Sequence, residues 1–372
     1  MSKRLNYLIA SSLLVSIPAL ADSANVTVYG VANVSYDFID AGSTTAGVAG
    51  AKINKVSSNA SRLGFKGKEE LGGGLSAIWQ IESLIAMDNT GGTFGTRNTY
   101  AGLSSKDYGS LLLGRNDTPY KISTRKLDNF GDTIADNRTL FGTVTGVSSS
   151  KSFVTKQPDL VSYISPTMGN VILSAAYLNL SENAAAAAAP KDRAASLAAM
   201  YDDGTFYGSL AYETHKLDSV RLGGRENAWA IAGAYTMNDF KIGAAYERTS
   251  DTLGGAAAPA ACAGLAVGAD CLGHSAWYVS AIYSFGSNAL KAAYSSAGSL
   301  AGRANTGADH LSFGLDHRLS KRTTLYALYT RLSNDSAANY GLAGAAWSSG
   351  VTPSVGAGAA PSALSFGMKH TF

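Results

Sequence analysis

The feature that most limits how this chain can fold is a short-range alternation of apolar and polar residues. In the segment 277–285, one parity carries Trp277, Val279, Ala281, Tyr283 and Phe285, and the other carries Tyr278, Ser280 and Ser284. The same alternation recurs in 26–38, 229–237 and 364–372. Successive side chains of a β-strand point to opposite faces, so a period of two residues predicts strands. Beyond the first 21 residues there is no run of 18 apolar residues, and no membrane-spanning helix is predicted.

The composition narrows the class of protein further. Charged residues make up only 15% of the chain, whereas a typical soluble domain contains about 25%. Hydrophobic residues are an ordinary 46%, so the chain is neither disordered nor a typical charge-covered soluble enzyme. A net charge of +3 is too small to indicate nucleic-acid binding. Because one face of each segment is apolar and aromatic and the other is small and polar, we expect a β-barrel with its apolar side outward.

The alternation predicts sixteen antiparallel strands joined by short and long connections in turn. The predicted ranges are 25–40, 60–71, 74–86, 96–105, 109–116, 159–166, 169–180, 194–202, 204–215, 226–237, 239–249, 274–285, 287–297, 308–319, 321–333 and 361–372. Short connections such as 72–73 and long ones such as 41–59 are typical of outer-membrane barrels, with periplasmic turns and external loops. The alanine run 184–189 lies in a long connection, which we interpret as a loop.

The first 21 residues have the pattern of an export signal. A positively charged start precedes an apolar stretch at 8–17, and the sequence ALA at 19–21 fits the cleavage rule. The mature chain is therefore predicted to begin at Asp22, with residues 22–372 forming one barrel domain. The alternative, a membrane anchor, would require a longer apolar stretch.

Several segments resemble the general porins of Gram-negative bacteria, particularly the β-proteobacterial outer-membrane porins. They are VTVYGVANVSYDF at 26–38, SRLGFKGKEELGGGLSAIWQIES at 61–83, TRNTYAGLSSKDYGSLLLGRN at 96–116, LSKRTTLYALYTRLSN at 319–334 and FGMKHTF at 366–372. The resemblance implies a sixteen-stranded transmembrane β-barrel, assembled as a homotrimer in the outer membrane, that passes ions and small hydrophilic solutes by passive diffusion. It also implies that the third external loop folds into the pore, and that Phe372 is a signal read by the barrel-assembly machinery.

The resemblance further implies that positive residues on the barrel wall form one side of the pore constriction. Arg62 and Arg97 match arginines at such positions, and Arg138 is a candidate for a third. Arg62 also shares an inward parity with Lys66 and Lys68.

The segment 119–133 resembles the constricting part of the third loop, which falls in the longest connection, 117–158. Asp128 and Asp132 are its candidate carboxylates, whereas Asn129 stands where the enteric relatives carry an acidic residue. Opposed charges in a narrow throat orient solutes and sort ions. We therefore predict weak anion preference or near-neutrality. The alternative is that these residues are solvated lumen charges without a special function.

Cys262 and Cys271 lie in one long loop, and an oxidising compartment favours a disulfide between them over two free thiols. Two thiols do not make a zinc site, and no cofactor motif occurs.

Other classes of function remain as alternatives. A barrel enzyme would need a close acid–base pair, but His310 and Asp316 are six residues apart in one strand, about 20 Å. An adhesive barrel would need aromatic anchors in its loops, which are rich in small residues instead. A substrate-specific outer-membrane channel is the main alternative to a general diffusion pore.

Overall fold

A computed structural model of the chain describes residues 25–89, 94–142, 152–181, 191–257, 259–342 and 353–372. The predicted signal segment and the alanine run lie outside these ranges. Within them, no helix is long and apolar enough to cross a membrane. Seventeen strand segments form a single antiparallel sheet that closes on itself, because the first and last segments are hydrogen-bonded to each other.

The described elements follow the chain in simple up-and-down order. The strands are β1 Asn25–Asp40, β2 Lys52–Ser58, β3 Arg62–Gly72, β4 Leu75–Leu84, β5 Thr99–Ser105, β6 Gly109–Asp117, β7 Lys156–Ile164, β8 Val171–Asn179, β9 Arg193–Asp202, β10 Phe206–Lys216, β11 Arg225–Met237, β12 Phe240–Asp251, β13 Ser275–Phe285, β14 Asn288–Ala297, β15 Ala308–Arg318, β16 Thr323–Asn334 and β17 Ser362–Thr371. Two short helices, α1 Pro119–Arg125 and α2 Ala260–Ala263, lie in connections between strands.

β2 and β3 together form one barrel strand with an interruption, so the seventeen segments make the sixteen predicted barrel strands. β3 pairs with the first half of β1, and β2 pairs with its second half. Between them, Ala60 has a left-handed φ of 53°, and the Ser61 hydroxyl donates to the Asn33 carbonyl at 3.0 Å. The sequence-based prediction that 41–59 is entirely loop is therefore wrong for β2.

β2 was not predicted because polar residues occupy outward positions that are apolar in the other strands. Lys52 and Asn54 face outward and are exposed, whereas Ile53 packs against the interior. An outward polar residue is expected where a strand extends beyond the hydrocarbon region of the membrane.

The closing pair β1–β17 ends at the C-terminal residue. The Gly30 N–H donates to the Phe372 carbonyl at 2.9 Å, and the Phe372 N–H donates back to the Gly30 carbonyl at 3.1 Å. The Phe372 ring lies over Gly30, where a Cβ would come within 2.3 Å of a ring carbon. Gly30 thus leaves room for the terminal ring beside it on the closing strand.

The two faces of the sheet differ as the alternation predicted. Outward side chains along the strands are large, apolar and exposed, among them Val28, Phe38, Leu197, Trp229, Trp277 and Phe313. Inward side chains are polar or small and buried, among them Asp37, Glu213, Glu247 and Ser312. This places the apolar band against lipid and the polar groups in the lumen, as in transmembrane barrels.

The external connection between β12 and β13 has a small core of its own. Cys262 and Cys271 are joined by a disulfide, with their Cα atoms 5.3 Å apart, and pack with Leu253 and Leu217. The Asp251 carboxylate accepts backbone N–H groups of this loop, including that of Leu253 at 2.8 Å. The bridge and these hydrogen bonds hold the loop to the external rim of the barrel.

Candidate channel constriction

The connection between β6 and β7, residues 118–155, folds into the barrel, and we call it the constriction loop. Its described parts are 118–142 and 152–155. It begins with α1, which the sequence analysis did not predict. Thr118 caps this helix by accepting the Lys121 N–H, and Pro119 occupies a first-turn position where its missing N–H is not needed.

The back of the constriction loop is hydrogen-bonded to one half of the lumen wall. The Tyr120 N–H donates to the Ser196 hydroxyl of β9 at 3.0 Å, and the Ser280 hydroxyl of β13 donates to the Leu127 carbonyl at 3.2 Å. The Tyr120 hydroxyl also donates to the Glu247 carboxylate of β12. These contacts fill the space along β9–β13 and hold the loop against that wall.

The far end of the loop reaches the first strand and completes a bridge across the barrel. The Asn33 side-chain amide of β1 donates to the Asp132 carbonyl at 2.7 Å. Phe130 is buried beneath the Lys291 ammonium, which lies 4.9 Å from the ring centre. The open passage therefore lies on the other side of the loop, towards β3–β9.

The wall opposite the loop carries two groups of paired charges. The Glu82 carboxylate of β4 accepts from the Arg97 Nε at 2.6 Å and lies 3.9 Å from the Arg62 Nε. Further along, the Asp117 carboxylate pairs with Lys156 at 3.0 Å and with Lys121 of the loop at 2.7 Å. Each carboxylate is thus shared by two cations.

The loop side carries its own cluster of charges. The Arg125 guanidinium contacts the carboxylates of Asp128 at 3.0 Å, Asp132 at 2.8 Å and Asp136 at 3.1 Å. Arg138 binds Asp136 at 2.5 Å and lies 3.4 Å from Asp132. Asp132 also joins the loop to the opposite wall, because it binds Arg62 of β3, with 3.1 Å between Oδ2 and Nη1.

The three loop carboxylates differ in how readily they ionise. Burial acts against ionisation of Asp136, but the Arg125 and Arg138 guanidinium groups outweigh it and hold its pKa well below the usual range. In the same way, nearby arginines overcome burial and lower the pKa of Asp132 to about 2. For Asp128, burial and the charge of Asp136 raise the pKa to about 7.

The passage is lined by more basic than acidic side chains. Its described lining surrounds an open cavity of about 800 Å³. Seven basic residues line it, namely Arg62, Arg97, Lys121, Arg125, Lys126, Arg138 and Lys156. Four acidic residues line it, namely Glu82, Asp117, Asp132 and Asp202. Within the described ranges, no group of His, Cys, Asp and Glu side chains is arranged to hold a metal ion.

The structure brings most of the predicted site residues to the passage. Arg62, Arg97, Arg138 and Asp132 line it, whereas the Asp128 side chain is only 1% exposed and lies behind Arg125. The predicted separation of cations on the wall and carboxylates on the loop is not what the structure has, since both sides carry both signs. Isolated buried carboxylates on the loop would be costly, and arginines beside them offset that cost.

Several charged groups of the passage were not predicted. Arg125 and Asp136 lie in the constriction loop. The loop is not a strand, so no alternation in the sequence indicates where their side chains point. Glu82 had a usable signal, because it shares the inward parity of Ser76 and Gln80 in β4. A search for charged residues at inward-facing strand positions would have identified Glu82.

Comparison with known proteins agrees with the closed barrel and its loop-lined passage. The sequence model of a family described as Gram-negative porin matches residues 8–337. Outer membrane porin protein 32 of Delftia acidovorans is 25% identical over 382 residues, which cover 98% of this chain and 99% of that protein.

Two solved structures share the fold. The anion-selective porin from Comamonas acidovorans has a TM-score of 0.78 at 22% identity, covering 94% of this chain and 100% of that one. The trimer form of OmpT from Vibrio cholerae has a TM-score of 0.66 at 16% identity, with 94% and 100% covered. The family match along most of the sequence, together with the closed barrel and its loop-lined passage, shows that this chain belongs to the Gram-negative porin family and is an outer-membrane diffusion channel.

Proposed function

We propose that this porin is a general diffusion channel with a weak preference for anions, set at the constriction between the loop and the β3–β9 wall. The observation that carries the proposal is the excess of seven basic over four acidic side chains around the passage. The similarity to a porin that is itself described as anion-selective also supports a preference for anions. In a narrow, loop-lined throat, such an excess raises the local concentration of anions.

The preference is expected to be weak because the cations are extensively paired. Counting Asp128 and Asp136 behind the surface, six carboxylates face seven cations. Asp128 is only partly ionised near neutral pH, since its pKa is about 7. A unit charge about 8 Å from a permeating ion is worth roughly 0.5 kcal/mol in water, about a twofold effect, and salt reduces it further.

The first prediction concerns the wall arginines. Arg62→Ala combined with Arg97→Ala leaves Glu82 without its two cations, so the chloride-to-potassium permeability ratio should fall about fourfold or more and the conductance should rise. Asp132→Asn should shift the ratio the other way. The measurement is the reversal potential and single-channel current under a KCl gradient.

A matched control removes two basic side chains away from the passage, by Lys321→Ala with Arg322→Ala at the turn before β16. This control should leave both quantities unchanged. If the Arg62 and Arg97 double variant also behaves as wild type, these residues do not form the constriction.

The second prediction concerns pH. Because the pKa of Asp128 is about 7, acidification from pH 8.5 to 5.5 should protonate it, remove one negative charge and raise the anion preference about twofold. Asp128→Asn should be anion-preferring at both pH values and lose the pH response. Reversal potentials measured at both values test this. A response of the same size in Asp128→Asn would assign the titration to another group.

We infer no enzymatic role for the chain. His310 is hydrogen-bonded to Thr330, and Asp316 pairs with Lys291 at 2.8 Å, so the two do not act on each other. The substrate-specific alternative has no particular support, because Tyr207 is the one aromatic side chain in the described lining of the passage.

We further propose that the functional unit is a homotrimer in outer-membrane lipid, as the trimer form of the Vibrio cholerae neighbour suggests. We also propose that residues 1–21 are removed on export. N-terminal sequencing of the outer-membrane protein should then start at Asp22.

The third prediction concerns Phe372, which we propose is read by the barrel-assembly machinery. A charge at the barrel rim costs only about 0–1 kcal/mol, so Phe372→Asp should refold into detergent micelles nearly as well as wild type. In cells it should reach the outer membrane poorly. Phe372→Tyr, which keeps the ring over Gly30, is the matched control and should assemble normally. Equal outer-membrane yields of the Asp and Tyr variants would refute the signal role.

A further inference from the structure

Four apolar side chains line one side of the passage, whose remaining described lining is charged or polar. They are Ile122 of α1, Ile172 of β8, Met200 of β9 and Tyr207 of β10, and we call them the apolar patch. Ile172 and Met200 are directly opposite each other in the strand register, and both have the inward parity of their strands. The patch and the arginines of the opposite wall therefore border the same open cavity.

The helix that contributes to the patch places its polar and apolar side chains in an unusual way. Lys121 is only 5% exposed and pairs with Asp117, whereas the adjacent Ile122 is 37% exposed and borders the passage. An apolar side chain that faces water loses the stabilisation that burial would give it. A solute with an apolar surface would restore part of that stabilisation by covering Ile122.

Apolar lining near the short turns is a feature of β8–β10 and not of every strand. Like β8, both β12 and β14 begin at a short turn, but their first inward positions include Lys241 and Lys291. The Lys241 ammonium donates to the Lys126 carbonyl of the loop at 3.4 Å, and Lys291 lies over Phe130. Inward positions of a barrel that holds water are usually polar, so the patch requires a separate explanation.

Cations lie beside the apolar patch. The Lys126 ammonium is 5.1 Å from the centre of the Tyr207 ring and pairs with the Asp202 carboxylate of β9. Both side chains of this pair are partly exposed, and exposed ion pairs are weak enough to exchange partners. Lys241 adds a second ammonium next to the Lys126 backbone. Two ammonium groups and one carboxylate leave this edge of the patch positively charged.

We propose that the apolar patch, with Lys126 and Lys241, is a binding subsite for monocarboxylates that have a small apolar body, such as a single benzene ring. The carboxylate pairs with the two lysines, and the ring lies on the two isoleucines and Met200, whose thioether contacts aromatic rings favourably. The inference rests on the proposed function as an anion-preferring diffusion channel. It adds a preference among anions, while other small solutes still pass.

The test measures how added solutes block the single-channel KCl current of the wild-type protein in planar bilayers at neutral pH. Benzoate is the probe, gluconate is a hydroxylated monocarboxylate of the same charge, and benzamide is a neutral molecule of the same shape as benzoate. Benzoate should reach half-block at a concentration about tenfold lower than gluconate, which corresponds to about 55 Å² of ring surface removed from water. Benzamide should block about fourfold more weakly than benzoate, because it lacks the charge.

Two pairs of variants separate the apolar contacts from the charges. The double variant I172T with M200Q keeps the size of both side chains but makes them polar, so benzoate should block it no better than gluconate does. The double variant I172L with M200L is the matched control and should retain the preference for benzoate. The double variant K126Q with K241Q should weaken the block by benzoate about fourfold and leave that by benzamide unchanged. Single-channel steps in KCl show that each variant forms a pore.

The reversal potential in a KCl gradient, without any added solute, reports the proposed anion preference separately. A wild-type reversal potential that favours potassium would contradict the proposed function whatever benzoate does. Equal half-blocking concentrations of benzoate and gluconate in the wild type would overturn the subsite even if the channel prefers chloride. An undiminished preference for benzoate in I172T with M200Q, or undiminished block by benzoate in K126Q with K241Q, would overturn it as well.

Discussion

The rest of the structure depends on the requirement that every backbone N–H and C=O at membrane depth be hydrogen-bonded within the protein. A sheet meets that requirement only by closing, and here the closing pair is β1 with β17, extended to the last residue by the two bonds between Gly30 and Phe372. Closure fixes an inside and an outside. The alternation of the strands then distributes apolar side chains to lipid and polar ones to the lumen.

The same requirement applies to the constriction loop, which is packed inside that lumen. Its backbone is partnered by wall side chains, as in the bonds from Ser280 to the Leu127 carbonyl and from Asn33 to the Asp132 carbonyl. Its carboxylates are partnered by its own arginines. The loop therefore divides the barrel into a filled half along β9–β13 and an open passage along β3–β9, and the charges of the passage follow from how this loop is neutralised.

Much of the fold could be predicted from the sequence because strand alternation is a local signal. The number of barrel strands, the outward aromatic residues and the lumen position of Arg62 all follow from parity and resemblance. β2 was missed because it extends beyond the hydrocarbon layer, where Lys52 and Asn54 replace apolar outward residues. Pairing within the constriction loop could not be predicted, because Arg125 meets Asp128, Asp132 and Asp136 only after the loop has packed against the wall.

We propose that ions pass on the β3–β9 side of the constriction loop and not behind it. Single cysteines at Asn98, beside the passage, and at Ser280, behind the loop, test this directly when treated with a negatively charged methanethiosulfonate during single-channel recording; the native Cys262 and Cys271 are joined in a disulfide. We expect the current through Asn98→Cys to fall upon reaction, while the current through Ser280→Cys should be unaffected. A fall in the current of Ser280→Cys as rapid and as large as that of Asn98→Cys would contradict the proposal.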